Sequence, residues 1–169
     1  MNNIKTWKFT LVFALLAAIA YCIPAAFYIR DSTYSQTWIL YLGVFMFLIV
    51  AIIYTTIDSN RRKKNVKVFR LMFDSHVITI ISILISCLLC FIMLAVFIPG
   101  YLGSGPAEKA LPDNPPNDVF DKTNGLSLKV FLTAIIGCFS AGSFVGILIP
   151  FYSSRRSGET SPEVAPLKQ

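Results

Sequence analysis

Four long stretches of this chain contain no charged side chain and no histidine. They cover residues 9–29, 32–57, 77–107 and 130–153, and each exceeds the length of about 18 residues that a helix needs to cross a hydrocarbon core. Lipid offers no partner to backbone N–H and C=O groups, so such stretches form helices that satisfy these groups internally. Only 14% of the residues are charged, against about 25% in soluble domains. The sequence therefore predicts an integral membrane protein.

The predicted fold class is all-α, an integral membrane four-helix bundle with both termini cytoplasmic. Membrane-spanning β-strands would alternate polar and apolar residues over about ten positions, and these runs do not alternate. One transmembrane domain is expected over residues 1–152, followed by a disordered cytoplasmic tail over 153–169, which is polar and contains proline. The expected helices cover about 9–28, 38–57, 77–98 and 128–152, with an outer loop over 99–127.

Lysine and arginine fix the expected orientation, because short loops rich in these residues stay on the cytoplasmic side. With the N-terminus inside, eleven of the fifteen basic residues fall on the inner face and four on the outer face. A rival interpretation treats the first run as a cleaved signal peptide. That run is about 20 residues long, beyond the roughly 7–15 of a signal core, which favours a retained helix.

The most basic stretch, Ser59–Arg70, lies between the second and third runs. It has no recognisable nucleic-acid-binding module, so we predict no nucleic-acid partner. Clusters of four to eight basic residues beside a membrane helix attract anionic lipid headgroups. The residues predicted to set the topology and to contact anionic lipid at the inner face are Arg61, Arg62, Lys63, Lys64, Lys67 and Arg70.

Small residues recur at a spacing of four in the first, third and fourth runs. Residues four apart share one helix face, and small side chains let membrane helices approach closely. The second run, with Phe45, Phe47, Leu48 and Ile52, is expected to face mostly lipid or a partner. The residues predicted to pack the helices are Ala14, Ala18, Cys22, Ser82, Ser86, Cys90, Ala134, Cys138, Gly142 and Gly146.

Three of the four cysteines, Cys22, Cys90 and Cys138, fall at nearly one expected depth, which raises the possibility of a metal or haem site. A metal site usually also uses histidine or carboxylate ligands, and the only histidine, His76, lies at the inner edge of the third run. The outer loop does not follow the spacing of a calcium-binding loop. We therefore predict no cofactor and interpret the cysteines as small packing groups.

The motif CLLC, from Cys87 to Cys90, resembles the CxxC of thiol-oxidising four-helix membrane proteins of the disulfide-bond-forming family. The resemblance implies a membrane thiol-redox protein that uses Cys87 and Cys90. That family has its pair near the outer surface and a second pair in an outer loop, whereas this outer loop contains no cysteine. Thiol-redox chemistry is therefore a remote alternative.

Proton-coupled transport generally needs charged residues or histidine inside the membrane, and the four uncharged runs contain none. No grouping of nucleophile, base and orienting residue can be assembled, so we predict no enzymatic activity. The expected protein is a multi-pass protein of the cell (inner) membrane, a structural or accessory subunit that contacts another membrane protein or forms a homo-oligomer. The alternative is a small oligomeric transporter or channel for a neutral solute.

Overall fold

The structure is a computed structural model that describes residues 3–30, 34–61, 68–103, 123 and 125–156. All regular elements in this part of the chain are helical. They are α1 (Asn3–Arg30), a 3₁₀ turn (Tyr34–Thr37), α2 (Trp38–Arg61), α3 (Val68–Phe97), α4 (Leu126–Leu132), a π-helical segment (Thr133–Gly137) and α5 (Cys138–Arg156). Helix α4, the π-helical segment and α5 follow one another without a break, so the described residues form four long helical stretches.

Each of these stretches is long and apolar enough to cross a membrane. The candidate spans are Trp7–Arg30, Trp38–Arg61, Val68–Phe97 and Leu126–Ser153. Four apolar helices are what the uncharged runs predicted, and the structure confirms them. An all-helical chain with four such spans is compatible with a multi-pass membrane protein.

The helices extend further than the apolar runs that predicted them. The third begins at Val68 rather than at residue 77, the second ends at Arg61 rather than at 57, and the fourth covers 126–156 rather than 128–152. Backbone hydrogen bonding continues past the last apolar side chain, because charged side chains near a helix end can reach the polar interface. The apolar runs therefore located the helices but underestimated their length.

Several predicted features lie outside the described residues. They include four of the six basic residues, namely Arg62, Lys63, Lys64 and Lys67, together with residues 104–122 of the predicted outer loop and 157–169 of the predicted tail. Of the predicted tail, residues 153–156 continue helix α5.

Helices α1 and α5 each pack against both α2 and α3, whereas α2 and α3 contact each other far less. The ring of Phe9 in α1 stacks against that of Tyr54 in α2, and Gly146 of α5 lies against Ser75 of α3. The start of α1, the end of α2, the start of α3 and the end of α5 therefore share one end of the molecule. We call it the basic end, because it carries the exposed residues Lys8, Arg61 and Arg70.

Helix α2 contributes more to the interior than its sequence predicted. Phe45 and Ile52 are exposed as expected, but Phe47 is only 1% exposed and Tyr54 is equally buried. A membrane helix is apolar on both its lipid-facing and its interior side, so apolar residues alone do not reveal which side packs. The expectation that α2 faces mostly lipid is wrong for the side that carries Phe47.

Candidate functional site

The helix interfaces are the candidate site, and all ten residues predicted to pack the helices are buried in them. Ser82, Ser86, Cys90 and Cys138 are at most 1% exposed. Burial shows that these positions face neighbouring helices, while their contribution to helix association stays a prediction. The other buried members of the set are Ala14, Ala18, Cys22, Ala134, Gly142 and Gly146.

The two glycines of α5 lie directly against α3. A Cβ atom built at Gly142 would lie 2.9 Å from the Thr79 Cβ and closer still to the outer atoms of that side chain. At Gly146 it would lie 3.1 Å from the Ser75 Cβ and 3.4 Å from the His76 ring. Real Cβ contacts are almost never shorter than about 3 Å, since packing in protein interiors is close to that of crystals. Gly142 therefore sets how closely α5 approaches α3.

Two further glycines make close contacts that sequence reasoning missed. A Cβ at Gly43 of α2 would lie 3.0 Å from the Tyr21 carbonyl oxygen of α1, and a Cβ at Gly137 would lie 2.7 Å from a methyl group of Val44. Gly43 has no small residue four positions away, so the spacing rule that selected Gly142 and Gly146 does not select it. The sequence feature that could have indicated the Gly43 contact is an isolated glycine within an apolar run.

Three hydrogen bonds between hydroxyl groups join different helices near the basic end. They connect Thr10 Oγ1 with Tyr54 Oη at 3.1 Å, Thr55 Oγ1 with Ser75 Oγ at 2.9 Å, and Ser59 Oγ with Ser153 Oγ. In lipid such bonds contribute about 0.6 kcal/mol on average to helix association, with directional specificity. They couple α1 to α2, α2 to α3 and α2 to α5.

Three buried hydroxyls, one of which is that of Thr55, bond to their own helix. Thr55, Thr79 and Ser82 each donate to the carbonyl oxygen four residues earlier, at 2.8 Å. This back-bonding satisfies the hydroxyl proton without a partner helix. It lets polar side chains occupy an apolar interior at low cost.

Asp58 changes the expectation that the spans contain no ionisable residue. It lies in α2 beyond the predicted membrane exit at Ile57 and is only 5% exposed. Its neighbour Ser59 is buried as well and donates to Ser153 of α5. Asp74 and His76, in the first turns of α3, were likewise placed outside the predicted helix. The interior of the basic end is therefore more polar than the sequence indicated.

The thiols lie close to one another, further from the basic end. The thiol of Cys22 in α1 is a neighbour of the thiol of Cys90 in α3. The Cys22 thiol also lies 3.9 Å from the Ser86 carbonyl oxygen, to which it donates. All four cysteines are free thiols. Cys90 therefore has a thiol neighbour on another helix, Cys22, in addition to Cys87 of the CLLC motif.

The described residues contain no group of three or more histidine, cysteine or acidic side chains that could hold a metal ion. Sequence reasoning placed Cys22, Cys90 and Cys138 at one depth, and the structure buries all three. Equal depth is not a coordination geometry, because a metal needs its ligands to converge on one point.

Tyr21 anchors α1 to α4 beside the π-helical segment. Its side chain is fully buried, and its hydroxyl donates to the Val130 carbonyl oxygen at 2.9 Å. The same carbonyl also receives the backbone N–H of Thr133, where the wider turns begin. Departures from α-helical geometry are common at functional or strained positions. The hydrogen bond from the Tyr21 hydroxyl joins α1 to the turn that precedes the π-helical segment. No feature of the sequence predicted this contact.

An aromatic cluster occupies the basic end. The ring centroids of Phe9, Phe13 and Tyr54 lie 4.7 to 5.7 Å apart, and the guanidinium carbon of Arg61 lies 4.1 Å above the Phe9 ring. Such a cation–π contact adds about 0.5–1 kcal/mol at an exposed site. It holds the last residue of α2 against the first turns of α1.

A cavity of about 10 Å³ lies beside this cluster, between α1, α2 and α3. Its lining is mostly apolar and includes the side chains of Tyr54, Thr79 and Ser82. That volume corresponds to about one water molecule. The cavity is therefore too small for a solute larger than water.

The chain matches no protein-family model, no curated protein and no solved structure.

Proposed function

We propose that this protein is a non-enzymatic multi-pass protein of the cell (inner) membrane that acts as a structural or accessory subunit of a membrane complex. Its four helices form a bundle whose basic end, with both termini, faces the cytoplasm. The observation that carries this proposal is the close packing of the interior. Glycine and small side chains bring α5 against α3, and cross-helix hydroxyl bonds hold the basic end. A fixed bundle of this kind suits a scaffold that presents its apolar exterior to lipid and to partner helices.

The charge distribution supports the orientation. Exposed Lys8, Arg61 and Arg70 share one end, whereas the other end carries Arg30 and Lys129 among the described residues. Basic residues that flank membrane helices are retained on the cytoplasmic side. Single cysteines placed at Asn60 and at Leu102, in a cysteine-free background, test this in intact cells. A membrane-impermeant maleimide should label only the second; labelling of the first alone would reverse the orientation.

A pull-down from native membranes tests the accessory role. The full chain carries an affinity tag after Gln169 and is extracted in a mild detergent with its lipids. We expect a single larger complex of fixed stoichiometry. A matched control is a tagged, unrelated four-helix membrane protein expressed at the same level. Recovery of the chain only as a monomer or homo-oligomer would contradict the accessory role.

A second candidate function is passage of a neutral solute through an oligomer. The observation in its favour is the cavity of about one water molecule between α1, α2 and α3, whose lining includes Tyr54, Thr79 and Ser82. Hydroxyl-lined paths pass water and small neutral solutes through hydrogen-bond exchange. Purified protein in liposomes separates the two candidates. Solute-dependent swelling above that of empty liposomes favours transport, and its absence together with a recovered complex favours the accessory role.

A further inference from the structure

Arg61 is held in an unusual way for an exposed residue at the end of a membrane helix. Its guanidinium carbon lies 4.1 Å above the Phe9 ring, and the rings of Phe13 and Tyr54 support Phe9 from the interior. An unrestrained arginine samples many conformations, and ordering it on a ligand costs side-chain entropy. Stacking on a fixed ring removes part of that cost before any ligand binds.

The stacked geometry leaves the binding edge of the guanidinium open. The contact places the guanidinium carbon over the Phe9 ring, and the five N–H donors of the group point outward from that carbon in the guanidinium plane. This planar fork matches two oxygens of a phosphate. Arg61 is exposed despite its contact with Phe9, so its edge is accessible from outside the helices.

The site lies at the level of the lipid headgroups. The uncharged run of α1 begins at Phe9, directly after Lys8, and that of α2 ends at Ile57, four residues before Arg61, so both runs end at the basic end. Trp7 is 53% exposed and Lys8 beside it is exposed too. Tryptophan prefers the headgroup layer, and lysine adds a second positive charge there.

We propose that Arg61, stacked on Phe9 and assisted by Lys8, forms a binding site for the phosphate of an anionic phospholipid. The site rests on the proposed membrane location and cytoplasmic basic end, and it deepens them by naming one ligand class and one geometry. Simple attraction between positive charge and anionic lipid would not distinguish Arg61 from any other exposed cation at this end. The stacked geometry does distinguish it.

Native mass spectrometry of the purified, delipidated protein tests the proposal. The full chain in detergent is titrated with phosphatidylglycerol or with phosphatidylcholine, and the fraction carrying lipid is measured. We expect preferential retention of phosphatidylglycerol, weakened about fivefold in Arg61→Gln. Arg61→Lys keeps the charge but loses the planar fork, so we expect it to recover less than half of the lost affinity. Phe9→Leu should weaken binding about twofold to fivefold.

Arg70→Gln is the matched control, because Arg70 is an exposed arginine at the same end with no stacked ring among the described residues. We expect a smaller loss in Arg70→Gln than in Arg61→Gln. Equal losses in the two variants, or wild-type affinity in both Arg61→Lys and Phe9→Leu, would overturn the proposal. If millimolar inorganic phosphate displaces the phosphatidylglycerol, the site binds free phosphate and the lipid assignment is wrong. If the phosphatidylglycerol stays bound, the result supports a lipid site.

The maleimide labelling described above keeps the two proposals separate. If the Arg61 variants show the wild-type orientation in cells but bind lipid equally well, the lipid site is wrong and the membrane orientation stands. If the wild-type chain is not recovered in membranes or lies the other way up, the proposed location fails whatever the lipid titration shows.

Discussion

The interior of this protein has two halves held together by different interactions. Toward the basic end lies the hydroxyl half, and toward the opposite end lies the thiol half. The hydroxyl half contains Thr10, Tyr54, Thr55, Ser59, Ser75, Thr79 and Ser82, and the thiol half contains Tyr21, Cys22, Cys90, Leu94, Val130 and Cys138. In the hydroxyl half, three hydrogen bonds cross between helices, whereas in the thiol half most contacts are apolar.

This difference shows two ways of joining helices in lipid, where hydrophobicity gives no net drive toward association. Hydrogen bonds between hydroxyls specify which residues meet, because they are short and directional. Packing of thiols and aliphatic groups specifies shape, since each buried contact is weak and only their sum is large. Two hydrogen bonds to backbone carbonyls also cross between helices in the thiol half, a bond of 2.9 Å from the Tyr21 hydroxyl and a long bond of 3.9 Å from the Cys22 thiol.

The largest loss of unfolding free energy is expected for a substitution where packing is tightest, at the contact of α5 with α3. Gly142→Leu places a side chain into Thr79, whose hydroxyl is fixed by its bond to Ser75. The helices must separate, and we expect a loss of about 3 kcal/mol or more in the free energy of unfolding. Gly146→Leu should lose less, since its neighbours begin at 3.1 Å. Unfolding by sodium dodecyl sulfate from a mild detergent measures both.

Ser140→Leu is the control for these variants, because Ser140 is exposed on the same helix. It adds the same side chain where lipid or detergent can accommodate it, so the unfolding free energy should change by less than about 0.5 kcal/mol. Wild-type stability of Gly142→Leu would show that α5 does not pack on α3 through this glycine.

Tyr21→Phe removes the hydrogen bond that joins α1 to α4 in the thiol half. We expect a loss of about 1 kcal/mol in unfolding free energy. The Val130 carbonyl oxygen keeps the N–H of Thr133, so the cost stays below that of a stranded polar group. Tyr41→Phe is the matched control, because Tyr41 is 65% exposed. Equal effects of the two variants would mean that the phenol of Tyr21 does not bond across the interface.

A double-mutant cycle measures the directional bonding in the hydroxyl half. Thr55→Val and Ser75→Ala each remove one end of the bond between α2 and α3. We expect a coupling energy of about 0.6 kcal/mol, within the range seen for hydroxyl pairs in membranes. Thr56→Val, on the exposed side of α2, is the control and should not couple to Ser75→Ala. A coupling energy of zero between Thr55 and Ser75 would show that bonding between hydroxyls does not hold α2 to α3, and the hydroxyl half would then not differ from the thiol half in this respect.

The smallest change in unfolding free energy is expected for a substitution of Cys87, because this residue is only partly buried. Cys87→Ala should change the unfolding free energy by less than about 0.5 kcal/mol. Cys90→Ala should cost more, because the Cys90 side chain is fully buried and its truncation leaves a cavity. A loss of cellular function in Cys87→Ala at unchanged stability would favour the thiol-redox alternative over packing.

The sequence predicted the number and approximate position of the helices, because uncharged runs of this length have one stable form in lipid. Their ends were less predictable. Val68 begins α3 although Arg70 and Asp74 follow it, since a helix persists wherever charged side chains can reach polar surroundings. Gly142 and Cys90 are buried, as the spacing of small residues along their helices predicts.

Other contacts had no local signal. Whether Phe47 faces the interior or lipid depends on the neighbouring helices, since both surroundings are apolar. The bond from Tyr21 to Val130 joins residues 109 positions apart, and no single-sequence pattern encodes such a pairing. The stacking of Arg61 on Phe9 is likewise a product of packing, although both residue types were visible in the sequence.

The placement of α5 has a consequence for how the protein is made. Helices are synthesised in chain order, so α1, α2 and α3 are complete before α5 emerges. Because α5 packs against both α2 and α3, its packing surface is formed by helices that precede it in the chain. When α5 packs, it covers Thr79 and Ser75. A chain arrested near Gly103 would lack the helix that covers these residues on the α5 side. Packing of α5 is thus the step that covers this partly polar surface of α3.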